Sequence, residues 1–248
     1  MLKFGKTNSK MTLNDESKRI SALREANAHP SSSKIVLLHG LGGSRLYMWP
    51  LARRLRNLGF DVENWGYRSL WSKLEHHGMR LSDTLAEIAY EESIESIYIV
   101  AHSLGCIVSR VALAAPFPEK VKLAVFLAPP NQGSPVADFF SPLLAPLLKP
   151  VPQLRTHPES FVNQLPHDIG IPFGVIAAET DWMVPASSAH LPTQTDFAVA
   201  GGIHSVLPLR KDVCQLIERF IRYQTFKEIE SGIDTLPRPD SLAQESPA

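Results

Sequence analysis

From Lys34 onward, short apolar runs rich in β-branched and aromatic residues alternate with stretches of helical spacing. That alternation is the pattern of crossover helices covering both faces of a parallel sheet. The runs are Ile35 to Leu38, Ile97 to Val100, Leu123 to Leu127, Phe173 to Ala177 and Phe197 to Val199, with Phe60 to Trp65 as a weaker sixth. Between them Leu51, Leu55 and Leu58 recur at helical spacing, as do Leu81, Leu85 and Ile88. A last helix shows Leu209, Val213, Leu216, Ile217, Phe220 and Ile221, and all three stripes are expected to face the core. The fold class expected is therefore α/β, a doubly wound and mostly parallel sheet. Right-handed crossovers bring every strand's C-terminal end to one edge, so functional residues should follow strands.

A chain of 248 residues is near the upper limit for one hydrophobic core, and one domain over residues 33–228 is expected. Residues 1–32 form a polar N-terminal segment with a possible helix over Leu13 to Ala28. Residues 229–248 form a tail whose Pro, Ser and Asp content from Asp234 predicts disorder. Residues 133–169 break the rhythm, because they separate two strands by more than a usual connection and mix seven prolines with the pairs Phe139-Phe140, Leu143-Leu144 and Leu147-Leu148. They are expected to be an inserted apolar cap that is mobile, adds little to global stability and closes on a long acyl chain.

Charge excludes some partners. Lys and Arg number 25 and so do Asp and Glu, which leaves no field to attract nucleic acid or an anionic membrane. No window approaches the roughly 18 apolar residues of a membrane span, and the first residues carry no apolar signal core. A cytoplasmic protein without integral membrane association is expected. Cys106 and Cys214 lack metal-ligand spacing and read as buried thiols, with no metal site. Oligomeric state is not legible here.

The chemistry concentrates in Ala101-His102-Ser103-Leu104-Gly105, which stands between the strand Ile97 to Val100 and the helical run Cys106 to Ala115. A serine on so sharp a strand-to-helix turn needs small residues two positions to either side, and Ala101 and Gly105 provide them. The turn presents Oγ above the sheet edge, beside the N-terminal amides of the following helix. His39-Gly40-Leu41-Gly42-Gly43-Ser44 follows the first strand, so the amides of Leu41 and Leu104 could form an oxyanion hole. A dinucleotide-binding turn fits poorly, since Arg45 stands where the third glycine should be, although Asp61 and Glu63 are loosely placed for a ribose.

A serine nucleophile needs a base and an acid to orient it. The strand Phe173 to Ala177 runs into Glu179-Thr180-Asp181-Trp182-Met183-Val184-Pro185, and Phe197 to Val199 runs into Gly201-Gly202-Ile203-His204. Ser103 as nucleophile, Asp181 as acid and His204 as base is the preferred reading, with Glu179 left as an alternative acid. Asp181 could instead merely cap its turn. His102 should point away from Oγ, His39 should support the glycine turn, and His190 follows Asp181 too closely to lie beyond another strand.

These motifs resemble the α/β-hydrolase superfamily over about residues 34 to 222, and the Ala-His-Ser-Leu-Gly turn is similar to that of small bacterial lipases and esterases. Ala128-Pro129-Pro130-Asn131-Gln132-Gly133-Ser134 also resembles a turn of lipase and deacylase relatives. The turn before Val184 and Pro185 matches the superfamily's acid loop. The chain departs from the common pattern in having Ala101 for glycine and no recognisable strand before Lys34. The resemblance implies a lipase-like esterase without a cofactor, acting on a small-molecule ester or lipid-like substrate. Phe139, Phe140, Leu143 and Trp182 are the expected substrate contacts. Amidase, peptidase and thioesterase chemistry use the same three residues, and a binding module on the same scaffold is the non-enzymatic alternative.

Overall fold

The structure, a computed structural model, describes residues 32–228. The helix expected over Leu13 to Ala28 and the tail at 229–248 lie outside the described residues. Six strands form one sheet: β1 (Ser33–Leu38), β2 (Asp61–Trp65), β3 (Ser96–His102), β4 (Val121–Leu127), β5 (Phe173–Ala178) and β6 (Asp196–Ala200). Their order is β2-β1-β3-β4-β5-β6 and every neighbouring pair is parallel. Each coincides with one of the six apolar runs to within a few residues.

The runs of the central strands β1, β3, β4 and β5 are continuous because both faces of the sheet are buried there, while the edge strands β2 and β6 are partly exposed. With side chains alternating along each strand, Val36, Leu38, Ile97, Ile99, Ala101 and Phe126 face one layer. Ile35, Leu37, Tyr98, Val100, Val125 and Leu127 face the other. The first layer holds α2 (Leu74–Ala89) and α3 (Leu104–Leu113); the second holds α1 (Arg45–Asn57) and α7 (Lys211–Tyr223), and the one-turn α6 (Ala186–Ala189) lies between β5 and β6 in the chain. The helical stripes meet these layers, and full burial of a leucine such as Leu51, Leu55, Leu81 or Leu85 stabilises by about 2 kcal/mol. One stripe position differs from expectation. Leu58 and Leu216 are half-buried and pack against the second layer, whereas Leu209 is exposed because it precedes α7, in a 3₁₀ turn over His204–Leu209.

The chain leaves β1 toward β2 and then crosses back to β3 on the other side. The strand order therefore reverses between β1 and β3, and the crevice above their C-terminal ends is where such sheets hold ligands.

The insertion at 133–169 contains α4 (Pro135–Leu144), a 3₁₀ turn (Val151–Leu154) and α5 (Phe161–Gln164). The expectation that it adds little to stability is corrected by its second half. Val151, Leu154, Val162 and Ile169 are buried in the same cluster as α2 and α3. The 3₁₀ turn is also pinned by hydrogen bonds. Lys73, the N-cap of α2, offers no capping side chain, and Gln153 substitutes for it, its Oε1 accepting from Leu74 N at 2.8 Å. Gln153 Nε2 donates to Glu75 Oε2 at 2.7 Å, and Ser134 N donates to Leu154 O at 2.8 Å. Only α4 and the turn after it, through Leu148, lie over the sheet edge with large exposed apolar side chains.

Candidate active site

Ser103 directly follows β3 with φ 53° and ψ −120°, a backbone region that residues with a Cβ rarely occupy. Neighbouring bonds hold it there, since its N–H donates to Leu127 O of β4 at 2.8 Å and its carbonyl accepts from Cys106 N at 3.0 Å. The requirement for small neighbours is visible in the packing. A Cβ on Gly105 would lie 2.7 Å from His39 O and 2.9 Å from Leu38 Cβ, while one on Gly40 would lie 2.9 Å from Ser103 Cβ. Ala101 is fully buried and paired in register with Leu38. The turns after β1 and β3 thus press together at the point where the strand order reverses.

His39 organises the turn after β1. Its Nδ1–H donates to Gly40 O at 2.8 Å and its ring stacks on Tyr67 at 4.4 Å, while Tyr67 Oη–H donates to His39 O at 2.7 Å. Gly42 N donates to Ser69 Oγ at 2.9 Å. Burial lowers the His39 pKa, so a neutral ring does this work. Leu41 and Leu104 come together with Ser103 at one cleft. Leu104 opens α3, so its N–H has no acceptor within the helix.

His204 follows β6 and Asp181 follows β5, and the parallel sheet brings both to the serine. Ser103 Oγ–H donates to His204 Nε2 at 2.8 Å, and His204 Nδ1–H donates to Asp181 Oδ2 at 2.7 Å. The Asp181 side chain is 0% exposed. Its other oxygen, Oδ1, accepts from Met183 N at 2.9 Å and Val184 N at 2.8 Å. The capping and acid readings of Asp181 are therefore compatible, each using one carboxylate oxygen. Glu179 is exposed and lies near Arg210, away from the His204 ring.

His102 does point away from Oγ, and its place is specific. Its Nε2–H donates to the main-chain carbonyl of His204 at 3.1 Å, and the two rings sit 5.0 Å apart. Burial, with His204 nearby, pushes the His102 pKa down to about 3, so the ring is neutral. Tyr47 Oη–H donates to the next carbonyl, that of Ser205. Burial raises the Tyr47 pKa to about 12. These two contacts were not legible in the sequence.

The cleft has a volume of about 120 Å³ and an almost wholly apolar lining. Phe140 lines it as expected, but Phe139, Leu143 and Trp182 lie outside the lining and are exposed. The helical period is the reason, since Val136, Ala137, Phe140 and Leu144 share the inner face of α4 while Phe139 and Leu143 share the outer one. Leu148, from the pair expected in the cap, also lines the cleft, as do Val151, Leu154 and Met183, which no sequence pattern marked as cleft residues. Cys106 and Cys214 are free and buried, and burial pushes both thiols up, Cys214 to about 11. Among the described residues no cluster of three or more His, Cys, Asp or Glu is arranged to hold a metal. Among them, too, no helix is long and apolar enough to cross a membrane.

The model of the Alpha/beta hydrolase family matches residues 35–238. Among curated proteins none matches the sequence. Solved structures with a similar fold include the mature Bacillus licheniformis lipase BlEst2, at TM-score 0.58 and 21% identity over 71% of this chain and 86% of that one. A Paleococcus ferrophilus monoacylglycerol lipase gives TM-score 0.58 at 16% identity over 78% and 95%. A lipase-esterase related protein from Clostridium acetobutylicum gives 0.56 at 14% identity over 78% and 96%. At these identities the likeness is one of fold.

Proposed function

The chain belongs to the alpha/beta hydrolase family, and from that membership we propose that it is a serine hydrolase cleaving carboxylic esters through an acyl-enzyme on Ser103. The observation that carries this reading is the unbroken line from Ser103 Oγ through both ring nitrogens of His204 to a fully buried carboxylate.

A serine hydroxyl is a weak nucleophile at neutral pH, and the line supplies what it lacks. As Oγ attacks the ester carbonyl carbon, its proton passes to His204 Nε2. Asp181 Oδ2 keeps the other proton on Nδ1 and stabilises the imidazolium that forms. Negative charge developing on the carbonyl oxygen is met by the amides of Leu41 and Leu104, in an apolar cleft where such bonds count for more than in water. The alcohol departs with the proton from Nε2. Water then gives a proton to the same nitrogen as it attacks the acyl carbon, and the carboxylic acid leaves as that proton returns to Ser103 Oγ. No step calls for a cofactor. The substrate class is a small-molecule ester or lipid-like ester, with α4 and the following turn as a cap above it.

The test is paired turnover of an ester and an amide that share one acyl group and one chromophore. Ester hydrolysis that exceeds amide hydrolysis supports the reading. Faster cleavage of the amide, or of the matched thioester, would move the protein to that class while keeping the same three residues.

A further inference from the structure

Resting on the ester-hydrolase reading above, we infer that the acyl site is short, accepting acyl groups of about four to six carbons, with Leu148 and Val151 setting the limit. Three observations converge on it. The first is volume. The cleft at Ser103 measures about 120 Å³, and an apolar protein cavity of roughly 150 Å³ admits a six-carbon ring but little more.

The second is the nature of the floor. Val151 and Leu154 line the cleft and also belong to the buried core, so they cannot withdraw without opening that core. The 3₁₀ turn that carries them is fastened at its C-terminal end, by Gln153 to the N-terminus of α2 and by Leu154 O to Ser134 N. Lys149 N donates to Leu70 O at 3.0 Å just ahead of it. Phe140, Leu144 and Leu148 line the cleft from the inner face of the insert. An apolar insert alone suggested long acyl chains, but the space beneath it is small.

The third concerns which half of the ester lies there. In deacylation water must reach His204 Nε2 while the acyl group is still attached to Ser103, so the acyl chain has to sit where it leaves that nitrogen open. The alcohol has already gone by then and needs no enclosure. The apolar cleft beneath the insert is therefore the acyl site, and a chain longer than its depth must displace pinned residues or lie exposed to water.

The experiment uses the full chain and two probe series. Fluorophosphonates whose carbon chain on phosphorus grows from ethyl to dodecyl are scored by their labelling rate at Ser103, located by peptide mass. In that step the Oγ–P bond forms, the P–F bond breaks, fluoride leaves and the serine proton passes to His204. Nitrophenyl esters from acetate to dodecanoate are scored by kcat/KM. Both series should peak at butyl to hexyl and fall by at least about tenfold at dodecyl, since misfit of a methylene in an apolar pocket costs about that factor. Leu148→Ala should move both optima to longer chains, and Leu148→Trp should move them to the shortest. Rates that rise steadily to dodecyl, or optima unmoved by either substitution, would overturn the inference. If esters are not turned over at all while phosphonate labelling keeps the short-chain optimum and its response to Leu148, the ester reading fails and the short site stands.

Discussion

The Nε2–H of His102 donates to the main-chain carbonyl of His204 at 3.1 Å, so the residue beside the elbow serine holds the backbone of the proposed base. Tyr47 holds the next carbonyl, that of Ser205, from the start of α1. Both restrain the short turn that aims the imidazole at Ser103 Oγ, and a displacement of about 1 Å in such a site costs on the order of a hundredfold in rate. His102 is therefore expected to act as a positioning residue.

His102→Leu should lower kcat by about ten- to a hundredfold while leaving KM within about twofold, because the aim of His204 is lost and the cleft is unchanged. His102→Gln, whose amide can donate from nearly the same place, should recover most of that loss. Steady-state kinetics on a soluble ester read both. Equal kcat in the leucine variant and wild type would show that the contact positions nothing.

Asp181→Asn should lower kcat by about 10⁴, since an amide at that place favours the wrong imidazole tautomer. Glu179→Gln should change kcat by less than about threefold, because Glu179 faces Arg210 and solvent. Steady-state kinetics on the same ester rank the two, and the reverse ranking would transfer the orienting role to Glu179. Asp181→Asn should also cost some stability, as Oδ1 holds the amides of Met183 and Val184.

Acid should destabilise the protein through its buried histidines. His77 is 1% exposed, and its pKa is lowered to about 4 by burial first and then by His76 and Arg80. In the unfolded chain the same ring takes up a proton near pH 6.5, so its folded pKa is depressed. Stability is then fully present above pH 6.5 and lost as pH falls toward 4. His77→Leu removes that uptake, so the gap in melting temperature between variant and wild type should widen in the variant's favour, by at least about 3 °C, between pH 7 and 4. Melting curves at the two pH values check it, and a constant gap would show that His77 is not neutral in the fold.

Much of the fold was legible because strands buried on both faces leave continuous apolar runs, and all six runs became strands. Ser103 was legible for a local reason, since a strand, a serine between small residues and a helix follow one another without a gap. Asp181 and His204 could be reached because each follows a strand within a few residues, although only the structure separates Asp181 from Glu179 at the ring. The cleft wall was not legible. Each of the pairs at 139–140, 143–144 and 147–148 sends its second residue inward and its first to solvent, and a pair of like residues carries no sign of which is which. Arg110 was missed for another reason. It sits fully buried in the apolar helix α3, its guanidinium donating to the carbonyls of Asn131, Leu165 and Pro166, and burial lowers its pKa to about 10. Those acceptors are up to 56 residues away, and no local pattern announces them.

The central claim is that Ser103 forms the acyl-enzyme. It is tested most directly by comparing Ser103→Ala with wild type on a short-chain nitrophenyl ester, after melting curves have established that both are folded. Loss of one hydroxyl from the elbow should leave the melting temperature within a few degrees and lower kcat by on the order of a millionfold. A folded Ser103→Ala protein that turns the ester over at the wild-type rate would contradict the account.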